Sequence, residues 1–389
     1  MIPVIENVTL DDMYHRPYEV YHRLRREAPV ARLPATGRVL ITRYDDARAV
    51  KMDPQTFTSE DWTTPAERAF QGTSMMRLDG PKHMKERRSI QPALSAKLIG
   101  SVWRAAAEEA ADRLLDQFAP GQEIEMFSQL AAPYAGEVLC KVLGLVNVDG
   151  QTMVDWSQTL IDAAGNVGGD EAVFARSDVV NGLVNDSIDA NIRRLEKAPD
   201  SSILHSMVFG KTAEEIDRVR CNIKVSIGGG VNEPRDALLT TVFGLLTNPE
   251  QLAQVRADPA LCAVALEESV RWVAPIQTSP RKTTVEVTLG GVVLPAGTPL
   301  SVVQASANRD EAVYEDGDVF DINRPAIPHQ GFGNGAHFCM GTHVARMSVG
   351  QVMLPKLLAR FPNMRLPDPE GVPWYGFTFH GPTALRVVL

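Results

Sequence analysis

The sequence predicts a mainly α-helical fold with small peripheral β-sheets. Three observations lead there. From residue 81 to about 250 apolar residues recur with a helical period, broken only near Pro120-Gly121, at 165–169 and at Pro199. Two stretches alternate instead, 30–43 around Pro34 and Gly37, and 285–303 around Gly290-Gly291 and Pro295-Ala296-Gly297. The composition, 44% hydrophobic and 22% charged over 389 residues, is that of an ordinary globular chain.

Taken in order, residues 18–28 read as a short amphipathic helix and 30–43 as a hairpin. Residues 59–78 hold clusters of Thr, Pro, Gly and Ser and read as a loop. Pro81 suits the first turn of a helix, on which His83 and Arg87, four apart, project from one face. Residues 138–148 are interrupted by Lys141 and read as a core helix. No apolar run approaches the ~20 residues that a bilayer span needs. In 227–236 Pro234 lacks an N–H, and its ring clashes with the Gly230 carbonyl, which predicts that the helix opens there and leaves room for water or a small gas. Glu268 and Arg271 are three apart on a helix over 263–273 and face the same side. Residues 285–303 should be strand and turn, and 374–389 a closing β-hairpin.

Several function classes are disfavoured. A net charge of −9 argues against nucleic acid as a partner. The four cysteines, Cys140, Cys221, Cys262 and Cys339, form no CxxC pair, so a zinc or iron–sulfur site of the usual spacing is not expected. The start, Met1-Ile2-Pro3-Val4-Ile5-Glu6-Asn7, has no basic region followed by an apolar one, so no signal peptide is expected. The expectation is a single domain over 1–389, cytoplasmic, with no membrane anchor and no nucleic-acid partner.

One cysteine stands apart. The run Gly331-Phe332-Gly333-Asn334-Gly335-Ala336-His337-Phe338-Cys339-Met340-Gly341 places Cys339 at the end of a glycine-rich turn, with a helix-forming stretch over 344–358 after it. Glycines let the backbone take positive φ and come close to a flat ligand. A thiolate there would sit at a helix N-terminus, and His337 would donate to an anion at the ligand's rim. A haem held by a single cysteine thiolate needs this set of parts.

The arrangement Phe-Gly-x-Gly-x-His-x-Cys-x-Gly resembles the haem-ligand loop of the cytochrome P450 family. Glu268-Ser269-Val270-Arg271 looks like that family's Glu-x-x-Arg helix, and Arg324 in Phe320-Asp321-Ile322-Asn323-Arg324-Pro325 matches the arginine that completes a buried triad. Asp79-Gly80-Pro81-Lys82-His83-Met84-Lys85-Glu86-Arg87 resembles its Asp-x-Pro-x-His-x-x-x-Arg segment. The resemblance covers nearly the whole chain. It implies haem b with the Cys339 thiolate as axial iron ligand. His83, Arg87, Arg281 and His337 would face the propionates, and Phe332 and Gly333 would lie in the cofactor loop. It also implies O2 as co-substrate and electrons from NAD(P)H through a separate partner, either a ferredoxin with its reductase or a combined flavin and iron–sulfur reductase. The chain stops at Leu389 with no fused reductase expected. A docking surface behind Cys339 would draw on Lys82, Lys85, Arg88, Arg104 and Arg346.

The oxygen-activating helix departs from the family pattern. Gly229 and Gly230 match it, but Asn232 replaces the acid and Glu233 the threonine. Gly230, Asn232 and Glu233 are therefore the expected catalytic residues, with Glu233 half-buried, raised in pKa and passing protons inward. This variant resembles the aryl-ether O-demethylases and the reductase-fused members. It implies a small methoxyarene substrate of the guaiacol, syringol or alkoxybenzoate type, and a pocket of Phe70, Ala164, Val231, Ile276, Phe377 and Phe379. Alternatives are hydroxylation of a terpene, fatty acid, macrolide or thiocarbamate, a peroxide-driven variant, and a non-catalytic haem-binding sensor.

Overall fold

The computed structural model describes residues 1–389. It is mainly helical with small sheets, as the periodicity predicts. The hairpin expected at 30–43 forms as β1 (Val30–Leu33) and β2 (Arg38–Ile41), turning at Gly37 with φ +69°. With β3 (Phe57–Thr58), β5 (Thr278–Thr283) and β8 (Pro299–Val303) it builds one five-stranded sheet in the order β1-β2-β8-β5-β3. β2 runs parallel to β8, pairing Val39 with Leu300 and Ile41 with Val302, so the two ends of the chain close on each other here. The strand expected at 285–303 also supplies a small hairpin of β6 (Val287–Leu289) and β7 (Val292–Leu294).

Two expectations are corrected. Residues 59–78 contain a helical turn, Ala66–Ala69, and a 3-10 turn, Met75–Arg77, because Glu67 bridges Arg77 and Thr64 and so folds the segment on itself. Residues 374–389 form only a two-residue hairpin, β9 (Trp374–Tyr375) with β10 (Gly381–Pro382). The closing β11 (Arg386–Val388) pairs instead with β4 (Glu123–Glu125), a strand inside the stretch read as helical. Local alternation gives a strand's existence but not its partner.

The centre is a 31-residue helix, Ile216–Leu246, packed against Ala132–Leu143, Gly150–Ala164 and Leu261–Trp272. Pro234 lies inside it, yet the helix runs on without a break, contrary to the expected opening at Gly230. Packing outweighs the lost hydrogen bond: a Cβ on Gly230 would lie 2.5 Å from Leu139, so the two helices are in close contact there. One turn earlier, the Ser157 hydroxyl donates to the carbonyls of Ile227 (2.8 Å) and Gly228 (3.0 Å).

The glycine-rich turn is anchored by a buried charge network. Arg271 makes a two-pronged pair with Glu268 at 2.7 Å through both Nε and Nη2, and donates to the carbonyls of Asn308, Gly317 and Val319. Arg324 completes it with Nε 3.6 Å from Glu268, while Asp321 N–H donates to the same carboxylate at 2.8 Å. Glu268 and Arg271 are 7% and 2% exposed, so removing one partner would strand the other's charge, at a cost of about 3–5 kcal/mol. Gly331 fits beside this helix only because it lacks a Cβ, which would lie 2.6 Å from the Val270 side chain.

Candidate functional site

A cavity of about 840 Å³ lies between the central helix and the glycine-rich turn. Cys339 faces it. Of the four free cysteines it alone is exposed, and that exposure is to the cavity interior. The site is deep enough that burial pushes the thiol up, against the Gly341 N–H and Thr342 hydroxyl, which pull it down. The net direction is upward, because desolvation exceeds these hydrogen bonds. A thiolate here needs a bound cation as its partner. Gly333 (φ +77°) and Gly335 (φ +64°) turn the loop, and the Cys339 N–H donates to Phe332 O at 2.9 Å.

Basic side chains crowd the rim. His83, Arg87, Arg281 and His337 all line the cavity. The rings of His83 and His337 stack at 4.0 Å, and His83 Nδ1 is buried without a partner. Burial, with His337 and Arg87 beside it, pulls His83 down to about 4. His337 is lowered by burial, although its Nε2 lies 3.1 Å from both Asp79 and Ser59. Arg281, 6% exposed, donates only to the Pro280 carbonyl at 2.7 Å, and burial pulls it down to about 10. Arg87 is also lowered by burial and donates to the Phe338 carbonyl at 3.0 Å. Asp79 is the acid nearest this group. Burial raises it, but hydrogen bonds from His337, Thr58 and Ser59 more than offset that and hold it low. Arg87 and Arg281 thus bring positive charge to the cavity that no carboxylate pairs with, and the imidazole of His83 between them is neutral near pH 7.

Sequence reasoning missed Lys51. It lines the same cavity, is 4% exposed, and donates only to Gln304 Oε1. The signal was present: Ala47, Val50 and Lys51, at i, i+3 and i+4, form the buried face of the helix Tyr44–Met52, and a lysine on such a face is unusual.

On the central helix Ser226, Gly230, Glu233 and Ala237 face the cavity at helical spacing. Val231 and Asn232 do not, which corrects two expected site residues. Val231 is fully buried in the core, and Asn232 turns to the Gly150–Ala164 helix, donating to Ser157 Oγ (3.1 Å) and the Gly228 carbonyl (3.3 Å). Glu233 has both carboxylate oxygens buried without a hydrogen-bond donor, and burial pushes it up to about 8. Arg235 does not pair with Glu233 and is held by Asp236 at 2.7 Å. Phe70, Ala164, Ile276, Phe377 and Phe379 line the apolar part, joined by Ile161 and Phe174. Phe70 lies within 3.5 Å of a Cβ built on Gly228, and Phe379 within 3.6 Å of one on Gly165, so each ring packs against a glycine.

The basic surface expected behind Cys339 is largely spoken for. Lys85 pairs with Glu214 at 2.8 Å, Arg346 with Glu267 at 2.7 Å, and Arg104 bonds Gln351.

Residues 251–371 match the model of the family described as Cytochrome P450. The chain is 32% identical over 385 residues to the mycinamicin IV hydroxylase/epoxidase of Micromonospora griseorubida, covering 95% of this chain and 94% of the relative. It is 32% identical over 386 residues to the nocardicin C N-oxygenase of Nocardia uniformis subsp. tsuyamanensis, covering 94% of each. Among solved structures, ligand-free cytochrome P450 TbtJ1 is similar at 28% identity and TM-score 0.86, with 96% of each chain covered. P450BioI in complex with an acyl carrier protein shares the fold at TM-score 0.89 and 23% identity, covering 98% of this chain and 100% of that one.

The buried acid has a measurable consequence. Glu233 ionises near pH 4.5 when unfolded but only near about 8 in the fold, so the native state becomes less favoured as pH rises between those values. Glu233→Gln removes that loss. Denaturant unfolding should find the variant and parent alike near pH 4, with the variant gaining steadily toward pH 8. A pH-independent difference would contradict the buried, unpaired placement.

Proposed function

The chain belongs to the cytochrome P450 family, and from that premise we propose that it oxidises a small aromatic ether, removing a methyl group to leave a phenol and formaldehyde. Its membership makes it a monooxygenase, an oxidoreductase working with a cysteine-ligated haem, O2 and electrons from a redox partner. The residues present fit that cofactor: a thiol faces the cavity, His83 Nδ1 has no partner, and Arg281 has no anion. Cys339 would bind the iron, and His83, Arg87, Arg281 and His337 the propionates. When bound, haem supplies oxygen activation, with thiolate electron density favouring O–O cleavage.

The protein's own work is positioning, water exclusion and proton delivery. The observation that carries the substrate reading is the apolar chamber beside Glu233, where Phe70 packs against Gly228 of the central helix and Phe379 against Gly165 at the end of the Gly150–Ala164 helix. Flat rings set this way suit an aromatic guest held by stacking and edge contacts. Glu233, neutral at pH 7 and free of protein partners, is the residue placed to hand a proton into the chamber, in place of the missing threonine. Gly230 lines the chamber while packing closely on Leu139, and Asn232 acts by holding helix to helix through Ser157.

A second reading has its own support. The cavity continues past the phenylalanines to Asn166, Val167, Phe174 and Trp62, which would accommodate a larger apolar molecule for hydroxylation. The relatives named above act as a hydroxylase/epoxidase and an N-oxygenase. Electrons are proposed to come from a separate iron–sulfur or flavin-containing protein docking near Cys339. Of the basic residues named for that surface, Lys82 and Arg88 carry no ion pair, and Met84 on the same helix is exposed, as is Phe338.

A spin-state titration of the ferric protein separates the readings. Guaiacol, syringol and 4-methoxybenzoate are expected to shift it to high spin, with Phe70→Ala weakening the response about tenfold. In the same system Glu233→Gln should lower product per electron while leaving the titration midpoint alone. A shift with bulky aliphatics only would contradict the methoxyarene reading.

A further inference from the structure

Where the five-stranded sheet borders the cavity, the lining is polar: Thr36, Arg38, Lys51, Arg281, Ser301 and Gln304, of which the reading above uses only Arg281. Arg38 is neutralised by Asp61 and also donates to the carbonyls of Leu300 and Arg281. Lys51 is not neutralised. Its ammonium meets the amide oxygen of Gln304, which also accepts from Ser279 at 2.8 Å, and Gln304 in turn donates to the Ile276 carbonyl at 2.8 Å. Asp61 and Asp79, the carboxylates of this region, are held by Arg38 and Thr63 and by Thr58, Ser59 and His337. Arg281 lies two residues along the strand from Ser279, which bonds the same Gln304, and lines the same cavity; burial draws the Lys51 ammonium well below its usual range, and Arg281 lowers it further. Two buried cations side by side, each with only neutral partners, are costly unless an anion joins them.

We propose that Lys51 and Arg281 together bind a carboxylate in this arm, making Lys51 an anion-binding residue of the site. Two carboxylates are available to it, a propionate of the haem and an acid group on the substrate. The propionate is favoured by position. The Lys51 carbonyl lies 2.8 Å from a Cβ built on Gly335, so the lysine's helix rests directly on the cysteine loop that carries His337 and Cys339. The Gln304 amide orients the ammonium, and Ser279 fixes Gln304.

The test uses the haem-loaded protein with Lys51→Met, Lys51→Gln and Lys51→Arg. Haem transfer to excess apomyoglobin should speed up on the order of tenfold in Lys51→Met, with Lys51→Arg restoring the parent rate. The reduction potential should move negative, since a cation that favours the ferrous state is gone. Should Lys51→Met fail to fold, Lys51→Gln keeps a donor for Gln304 but no charge and should show the same two changes. A purely structural lysine would leave the potential in place. If haem transfer and potential hold but preference for 4-methoxybenzoate over 4-methoxybenzamide disappears, the carboxylate is the substrate's. If haem transfer, potential and that preference all stay at parent values, the proposal is overturned.

Discussion

An excess of buried positive charge around a buried thiol is the constraint on which this structure turns. Arg87, Arg281 and Lys51 border one cavity together with a neutral His83, and none of them pairs with a carboxylate. Isolated buried cations are expensive, and the protein lowers the affinity of each for its proton rather than supplying counter-ions. The thiol of Cys339 is raised by the same burial. A ligand that brings a metal cation to the sulfur and carboxylates to the rim relieves both costs together. That pairing of needs makes the chain a haem protein in physical terms, beyond its membership of a family.

The rest of the fold holds this imbalance in place. The Glu268–Arg271–Arg324 network is buried and nearly self-satisfied, and it grips the carbonyls of Asn308, Gly317 and Val319 on the path into the cysteine loop. On the opposite wall the central helix survives Pro234 because Leu139 and Ser157 hold it from the side. Its cavity face then presents Glu233, an acid with no partner, where proton delivery would be required. Rigid walls and unsatisfied contents are two parts of one design: groups can remain unpaired only where packing forbids them to turn away.

Much of this was legible in the sequence. The cysteine loop, the Glu-x-x-Arg helix and the His83–Arg87 pair are short-range patterns whose chemistry depends on spacing, and spacing is what a sequence records. The helix-rich fold followed from periodicity for the same reason. What escaped was long-range. β11 alternates like one arm of a hairpin but pairs with β4 some two hundred and sixty positions earlier. Asn232 carries chemistry-capable atoms, yet helical phase turns it to Ser157. The place of Lys51 on a buried helix face was legible, but its partner was not, because Gln304 comes beside it from more than two hundred and fifty positions away. The expected break at Pro234 failed because a local penalty was judged without the helices that would oppose it.

The central claim is that Cys339 supplies the thiolate while the cationic rim retains the haem. It is tested most directly by reducing the parent protein and a Cys339→Ser variant under carbon monoxide and recording the Soret band, with haem content measured alongside. The parent should give the red-shifted band of a thiolate-ligated carbonyl complex, and the variant should lose that band. A thiolate band that persists in Cys339→Ser would contradict the account, because no other cysteine lines the cavity.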